Sequence, residues 1–293
     1  MGRNQLNMAN KVVLCADSAC DLGDELREKY DVKLMYYNIS LDDKAYVDGV
    51  TITPDDIYKA YWDKGILPKT SAFNVSDYIE FFRQWTEQGY DVVHFSLGSA
   101  LSSSYQNCVA AAQELGNVYP VDSCNLSSGI ALLVIEAAER IAKGMPAKEV
   151  AEEVARLTKH SHASFILDTL EFMRAGGRCS AVAALGANLL KLKPCIAVDN
   201  NNGGAMDVSK IYRGNLDKVL LQYAEERLNR FSKIKKDRAF ITHSGISEER
   251  IKLVYDYVKS RNIFENIYIT RASCTISSHC GPNTLGVLFM TED

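Results

Sequence analysis

Short apolar runs alternate with polar turns and helical patterns along the first half of the chain. Residues 12–16, 91–97 and 118–121 are mostly apolar runs of the length typical of buried strands. Each is followed by a polar turn and then by a segment with helical spacing of apolar residues, such as residues 103–116. Parallel strands need crossover connections, which are almost always right-handed, so this order predicts a mostly parallel sheet with helices on both faces.

Two helices begin with sequences that favour a helix N-terminus. Thr53 suits the N-cap, Pro54 the first helical position and Asp56 the capping-box position. A second helix is predicted to begin at residues 74–77 and to end at Gly89. Its apolar residues have the spacing of one helical face and are predicted to belong to the core: Tyr78, Phe81, Phe82 and Trp85.

The regular alternation ends near residue 165. Residues 200–204, Asn-Asn-Asn-Gly-Gly, separate two apolar segments, a pattern typical of a β-hairpin. Helical patterns and apolar runs then follow at residues 216–228, 239–242, 248–259, 267–269 and 286–290. The sequence therefore predicts an α/β protein of two domains. Residues 1–165 would form the mostly parallel sheet with its helices, and residues 166–293 a mixed sheet with helices.

Composition and charge exclude several classes of protein. The chain of 293 residues is 47% hydrophobic and 24% charged, with a net charge of -4, which is the balance of an ordinary globular protein. No basic cluster is denser than residues 233–238, so nucleic acid is not expected as a partner. The N-terminus lacks an apolar signal segment, and no window approaches the roughly 18 apolar residues of a membrane span. We therefore expect a cytoplasmic protein without stable membrane insertion.

Cysteine and histidine spacing gives no sign of a metal site or of a disulfide framework. The eight cysteines are scattered without a CxxC pair, so reduced, partly buried thiols are expected. No HExxH motif is present, and neither a GxxxxGK[ST] nor a GxGxxG phosphate-binding motif occurs. The sequence therefore predicts no metal and no cofactor.

Polar turns follow three of the predicted strands. They contain Asp17-Ser18, residues 99–104 and Asp122-Ser123. Ligands of open parallel sheets bind just beyond the carboxyl ends of the strands, and hydroxyls beside helix N-termini suit a carboxylate or a phosphate. The same residue types are also the ones that cap helices, so ordinary capping is the favoured explanation for any one of these turns taken alone.

Two of the five histidines lie in predicted turns, where functional histidines are more often found than on apolar faces. We predict a capping or packing role for His243, whereas His279 is equally compatible with a structural and a functional role. A serine hydrolase using His279 stays an alternative, although the GxSxG nucleophile motif is missing. A regulatory module for another small anion is a third possibility.

Nine segments in register along nearly the whole chain resemble the DegV family of fatty-acid-binding proteins. They are Asp17-Ser18 with Asp21-Leu22, residues 46–49, Lys69-Thr70-Ser71, residues 101–106, residues 121–123, residues 174–178, residues 189–194, residues 243–245 and residues 279–282. Each segment alone is weak evidence. Their order across both predicted domains is what identifies the chain as a member.

The resemblance implies a protein that is not itself an enzyme. It would bury a long-chain fatty acid in a tunnel between its domains, with the carboxylate at the N-terminal strand-end loops and the acyl chain in a C-terminal pocket. It would present the carboxylate to a separate ATP-dependent fatty acid kinase, its protein partner, for acyl-phosphate formation.

The same resemblance implies roles for six residues. Thr70 and Ser102 would bind the carboxylate, Ser71 and Ser99 would be neighbouring hydroxyls, and His279 would complete the polar end. Arg178 would serve kinase engagement or phosphoryl transfer. The chain departs from the family pattern at residues 72–74, at Ser103 and at Asn283, which affects the expected acyl-chain specificity.

Overall fold

The computed structural model describes residues 11–184 and 192–292. In chain order the strands are β1 Val12–Asp17, β2 Lys33–Met35, β3 Asn38–Leu41, β4 Lys44–Val47, β5 Lys69–Thr70, β6 Asp91–Ser96, β7 Val118–Asp122, β8 Ser161–His162, β9 Ser164–Ile166, β10 Leu192–Asp199, β11 Ala205–Arg213, β12 Ile234–His243, β13 Asn266–Arg271 and β14 Leu285–Thr291. The helices are α1 Asp24–Lys29, α2 Pro54–Lys64, α3 Val75–Thr86, α4 Ser104–Leu115, α5 Ser128–Ala142, α6 Ala147–Leu157, α7 Glu171–Gly176, α8 Ser180–Ala184, α9 Leu216–Asn229, α10 Glu248–Ser260 and α11 Cys274–Cys280.

A parallel sheet organises the first half of the chain. Its strand order is β2-β1-β6-β7, and all three pairings are parallel. The mostly buried strands β1 and β6 lie in the middle, where both faces of the sheet are covered. The predicted parallel sheet with crossover helices is therefore confirmed.

A small antiparallel sheet, which the sequence did not predict, lies beside the parallel one. Its order is β4-β3-β5, and the two-residue strand β5 pairs through Thr70 with Ile39 and through Lys69 with Ser40. A strand of two residues has no period that could be recognised. Its pairing fixes the backbone at Thr70.

A seven-stranded mixed sheet forms the second half. The main path is β11-β10-β9-β14-β12-β13, with β8 paired to β14; β12 and β13 are parallel and the other pairings antiparallel. The predicted hairpin is confirmed as β10–β11, and the mixed sheet with helices is confirmed as well. The division at residue 165 stays a prediction.

Helix α5 packs between the two large sheets. Residues 128–138 of this helix are all buried, and the helix contacts β1 and β6 on one side and β8 and β14 on the other. A helix that is buried on every side belongs to the middle of a core. The largest buried apolar cluster accordingly includes Leu14 and Phe95 from one sheet and Phe165 and Leu288 from the other.

Local sequence signals are confirmed at the helix ends. Thr53 and Asn74 each form a capping box, with Asp56 and Asp77 respectively, and Pro54 begins α2. All eight cysteines lack a disulfide, and seven are buried. Within the described residues, no helix is long and apolar enough to cross a membrane, and no His, Cys, Asp and Glu side chains cluster as metal ligands would.

Candidate functional site

A cavity that is open to solvent lies between the parallel sheet, the small sheet and the segments around α7 and α11. We call it the Thr70 cavity. Its lining residues are Tyr37, Thr70, Ser71, Ala72, Leu97, Leu101, Ser102, Leu126, Met173, Arg178, Met206, Thr275, Ile276, His279 and Cys280.

The polar and apolar walls of the Thr70 cavity lie at different depths. Ser71 and Arg178 are exposed, and Thr70 and Ser102 are half-buried. The apolar residues farther in are buried: Leu97, Leu126, Met173, Ile276 and Cys280. The cavity is therefore polar at its rim and apolar at its inner end.

A hydrogen bond joins Thr70 to His279 across the cavity. Thr70 Oγ1 and His279 Nε2 lie 2.9 Å apart, although the two residues are 209 positions apart in sequence. Burial, with a smaller contribution from the nearby Arg178, lowers the pKa of His279 to about 4. The imidazole is therefore neutral near physiological pH.

The other imidazole nitrogen of His279 faces Gly176 at the end of α7. His279 Nδ1 is buried and has no hydrogen-bond partner among the described residues. A Cβ added at Gly176 would lie 2.1 Å from Nδ1, far inside van der Waals contact. Glycine at this position is therefore what lets His279 reach Thr70.

Replacing Gly176 by alanine is expected to displace His279 and to weaken binding of a ligand at Thr70 by about tenfold. The clash should also cost about 1–3 kcal/mol of stability, as overpacking commonly does. Ligand titration and urea unfolding measure the two effects. In a His279→Ala background the same Gly176 substitution should cost nothing, because the clash is gone. An equal cost in both backgrounds would contradict this account.

Ser102 belongs to a chain of buried hydroxyls that ends at Asp17. Ser102 Oγ lies 2.9 Å from Ser104 Oγ, and Ser104 Oγ lies 2.9 Å from the Tyr37 hydroxyl. Tyr37 donates to Asp17 Oδ2 at 2.9 Å. The Ser104 backbone N–H also donates to Ser102 Oγ, at 3.1 Å. These contacts fix the Ser102 side chain at the cavity wall.

The loop that carries Ser102 is held by the turn of the β10–β11 hairpin. The Ala100 backbone N–H donates to the Gly203 carbonyl at 3.0 Å. A Cβ at Gly98 would lie 2.6 Å from that same carbonyl oxygen, so the close approach requires glycine. The hairpin thus closes one side of the cavity, and its strand β11 contributes Met206.

Two buried carboxylates hold the segment that carries His279. Asp48 accepts hydrogen bonds from the Cys274 and Thr275 backbone N–H groups, from the Thr275 hydroxyl and from the Ser18 hydroxyl. Asp21 accepts from the Ser273 backbone N–H at 2.8 Å. These bonds satisfy N–H groups that a helix start leaves without partners.

Burial raises the pKa of Asp21 to about 7, despite hydrogen bonds from Ser127 and Ser273 that act in the opposite direction. The folded protein therefore binds the Asp21 proton more tightly than the unfolded chain, whose Asp pKa is near 4. This stabilises the fold fully below about pH 4, and the contribution is lost as the pH rises through about 7. Relative to an Asp21→Asn variant, wild-type unfolding free energy should therefore fall by a few kcal/mol over that range. Urea unfolding at several pH values tests this, with the exposed Asp24→Asn as control. A pH-independent difference would contradict it.

The structure brings most of the predicted site residues together, with one exception. Thr70, Ser71, Ser102, Arg178 and His279 all line the Thr70 cavity. Ser99 does not line it: its side chain packs by Gly203, and its backbone N–H donates to Asp122 Oδ1 at 3.1 Å.

The other two polar strand-end turns have structural roles. Asp17 is fully buried and accepts hydrogen bonds from Tyr37, Tyr78 and the Leu97 backbone N–H. Asp122 accepts from backbone N–H groups of its own and the neighbouring loop. Of the three polar strand-end turns, only the loop of residues 99–104 therefore contributes side chains to the cavity.

The apolar lining and the tyrosine behind Ser102 were not predicted. Tyr37 lies between β2 and β3, Met173 in α7 and Met206 in β11, and none of them belongs to a motif that indicated a site. Arg178 was predicted, and its position is specific: its Nη1 donates to the Gly176 carbonyl at 2.7 Å at the cavity rim. The predicted segment 189–194 lies partly outside the described residues.

A second, largely apolar cavity adjoins the first. It shares Leu126, Ile276 and Cys280 with the Thr70 cavity. Its remaining wall includes Phe165, His243 and Leu288, between the mixed sheet and the core. We call it the Leu288 cavity. Burial lowers the pKa of His243 to about 4, so this histidine also is neutral near physiological pH.

The geometry does not favour a serine hydrolase. A general-base histidine bonds to its nucleophile with one nitrogen and is oriented by a carboxylate at the other. His279 instead bonds to Thr70, its Nδ1 has no partner among the described residues, and Ser102 bonds to Ser104.

Comparisons with known proteins agree with this architecture. The family model for "Uncharacterised protein, DegV family" matches residues 11–292. A DegV domain-containing protein of Clostridium perfringens is 30% identical over 294 residues, covering 96% of this chain and 98% of the relative.

Solved structures are similar over the same length. A fatty-acid-binding DegV family protein from Thermus thermophilus is 28% identical with a TM-score of 0.86, covering 96% of this chain and all of that one. A stearic acid-binding protein from Eubacterium ventriosum is 25% identical with a TM-score of 0.80, covering 96% and 98% respectively. The family model spans all three sheets and every residue that lines the Thr70 cavity, and the chain therefore belongs to the DegV family.

Proposed function

We propose that this protein binds one long-chain fatty acid, with the carboxylate at Thr70 and Ser102 and the acyl chain in the two joined cavities. The observation that carries the proposal is the gradient from a hydroxyl-lined rim to buried apolar walls, continued by the adjoining Leu288 cavity. The fatty-acid-binding relatives from Thermus thermophilus and Eubacterium ventriosum support it. The protein acts as a carrier and performs no catalysis itself.

The hydroxyl chain leaves the Ser102 hydrogen free for the ligand. Tyr37 has one hydroxyl hydrogen, and Asp17 takes it, so Ser104 donates its hydrogen to the Tyr37 oxygen. Ser102 Oγ accepts from the Ser104 backbone N–H. Without a ligand, the Ser102 hydroxyl hydrogen is donated to Ser104 Oγ. A bound carboxylate is the stronger acceptor and takes this hydrogen bond instead.

Neutral His279 leaves the Thr70 hydroxyl hydrogen available to a ligand. We assign the imidazole proton to Nε2, so that Nε2–H donates to Thr70 Oγ1. The Thr70 hydroxyl hydrogen is then available to the carboxylate. Thr70 and Ser102 thus supply two donors without a formal positive charge.

The acyl chain supplies most of the affinity. Transfer of each CH₂ group from water contributes about 0.8 kcal/mol, so a C16 chain gains roughly 12 kcal/mol before the entropy of binding is subtracted. Leu126 and Ile276 line both cavities, and they would contact the middle of the chain. The hydroxyls of Thr70 and Ser102 then determine the orientation of the bound fatty acid.

The exposed rim suits delivery of the carboxylate to a second protein. A carboxylate bound by hydroxyls keeps its nucleophilic oxygen, whereas a direct ion pair would hold it more strongly. A fatty acid kinase would transfer the γ-phosphoryl group of ATP to that oxygen and release ADP, giving an acyl phosphate. Arg178, exposed at the rim, has the planar donor geometry that pairs with phosphoryl oxygens.

Titration with a matched set of lipids tests the proposed function. Palmitate should bind more tightly than hexadecanol, which lacks the acid group, and much more tightly than octanoate, which lacks half of the chain. Isothermal calorimetry of delipidated protein measures all three. Absence of palmitate binding, or equal affinity for palmitate and octanoate, would contradict the proposal.

Replacing Arg178 by alanine is expected to leave palmitate affinity within about threefold, because exposed charges contribute little to binding. Phosphorylation of the bound fatty acid by a kinase partner should fall by about tenfold or more, because a charge-assisted contact to the phosphoryl group is lost. An exposed arginine elsewhere, as in Arg83→Ala, serves as the control. Loss of lipid binding in Arg178→Ala would assign this residue to the carboxylate site instead.

A further inference from the structure

A third cavity lies on the other face of the mixed sheet. It is open to solvent on one side and is lined by residues of β9, β10, β11 and α9. We call it the Arg227 cavity. Cys195 and Ala197 of β10 face it, whereas their neighbour Ile196 belongs to the central core. Successive strand residues point to opposite faces, so the sheet separates this cavity from the proposed fatty acid site.

Arg227 is buried in this cavity, and two nitrogens of its guanidinium have no hydrogen-bond partner among the described residues. The side chain is 8% exposed, and its guanidinium lies over the rings of Phe231 and Phe289, at 4.9 and 5.1 Å from their centroids. Its Nε and Nη2 are buried and have no hydrogen-bond partner in the part of the chain that the structure describes. The two rings cover the guanidinium faces, and its N–H edge is what a ligand could use.

Burying an unpaired charge is strongly unfavourable. The desolvation penalty of an ion exceeds what a cation–π contact returns, and proteins normally pair such a group with an anion. The burial of Arg227 lowers its pKa, and the nearby Arg230 acts in the same direction. A buried guanidinium of this kind is suited to bind an anion.

Among the described residues, Glu226 is the only carboxylate that lines this cavity, and it is already paired. Glu226 accepts from Lys210 Nζ and from the Tyr212 hydroxyl, each at 2.7 Å. The charges of Lys210 and Glu226 therefore cancel. Arg227 and Arg230 contribute two further positive charges to the lining. Nearby His162 is neutral near physiological pH because burial and Arg227 lower its pKa to about 4.

We propose that the Arg227 cavity is a second ligand site, which binds the phosphoryl group of inorganic phosphate or of a small phosphate monoester. Two uncompensated arginines match a dianion better than a monoanionic carboxylate. The guanidinium of Arg227 donates a charge-assisted hydrogen bond to the phosphoryl group. Arg230, exposed at the rim, contacts the ligand from the solvent side. The site is independent of the proposed fatty acid site and of its function.

Calorimetric titration of the full chain at constant ionic strength tests the proposal. The probes are inorganic phosphate, methyl phosphate and, as a carboxylate, acetate. We expect saturable binding of phosphate, with acetate at least about tenfold weaker. Tighter binding of methyl phosphate than of phosphate would identify a monoester as the ligand, and the reverse would identify free phosphate.

Matched variants assign the binding to this cavity. Arg227→Met keeps an unbranched chain between the two aromatic rings and removes the charge, and we expect phosphate affinity to fall at least about tenfold. Arg230→Gln changes an exposed residue, so it reports on the site even if Arg227→Met does not fold. Arg213→Gln, at an exposed position on β11, should leave phosphate affinity unchanged. No saturable phosphate binding by the wild type, or wild-type phosphate affinity in either cavity variant, would overturn the proposal.

Discussion

Replacing Thr70 by valine and Ser102 by alanine together is expected to weaken palmitate binding by at least about a hundredfold, because each change removes one charge-assisted hydrogen bond worth roughly 1.5–3 kcal/mol. Both residues are half-buried, so water can reach the groups that lose a partner and the fold should lose only about 1–2 kcal/mol. Calorimetric titration and urea unfolding measure the two quantities.

The control for this double variant is Ser103→Ala. Ser103 is exposed, adjoins Ser102 and makes no side-chain capping bond to α4, so palmitate affinity should not change. Hexadecanol binding should change less than palmitate binding in the double variant, because the alcohol has no carboxylate to lose. Unaltered palmitate affinity in the double variant would remove Thr70 and Ser102 from the proposed site.

Replacing Asp48 by alanine is expected to cost about 3–5 kcal/mol of stability. The residue is 1% exposed, and its loss leaves four donors without their acceptor: two backbone N–H groups of α11 and the hydroxyls of Ser18 and Thr275. Urea unfolding measures the loss.

The exposed Asp63→Ala is a suitable control for Asp48. Asp63 pairs with Lys59 one helical turn away, and such surface pairs are worth at most a few tenths of a kcal/mol. Because Asp48 holds the start of the helix that carries His279, palmitate affinity should fall in the same variant. A stability loss below about 1 kcal/mol would mean that the donors of α11 find other acceptors.

Local signals predicted the parts of the fold that depend on local chemistry. The capping boxes at Thr53 and Asn74 depend on residues three positions apart, and the hairpin at residues 200–204 on two adjacent glycines. The parallel sheet followed from the order of apolar runs. The small sheet could not be predicted in this way, since β5 exists only because Thr70 pairs with Ile39.

The candidate site was predicted mainly from the resemblance to a family, and physical reasoning shows why. Thr70 and His279 meet across 209 positions, a proximity that no periodicity along the chain encodes. The polar turns after β1 and β7 had the same residue types as a binding loop, yet Asp17 and Asp122 bind backbone and tyrosine groups instead. Ser99 was predicted beside the carboxylate and packs on the hairpin turn, because Gly203 approaches its loop closely.

Native mass spectrometry of the protein purified without added lipid tests the central claim most directly. The account predicts one bound molecule with the mass of a long-chain fatty acid, which is released on denaturation and is depleted in the Thr70→Val, Ser102→Ala variant. Wild-type protein that carries no such mass, and that acquires none after incubation with palmitate or oleate, would contradict it.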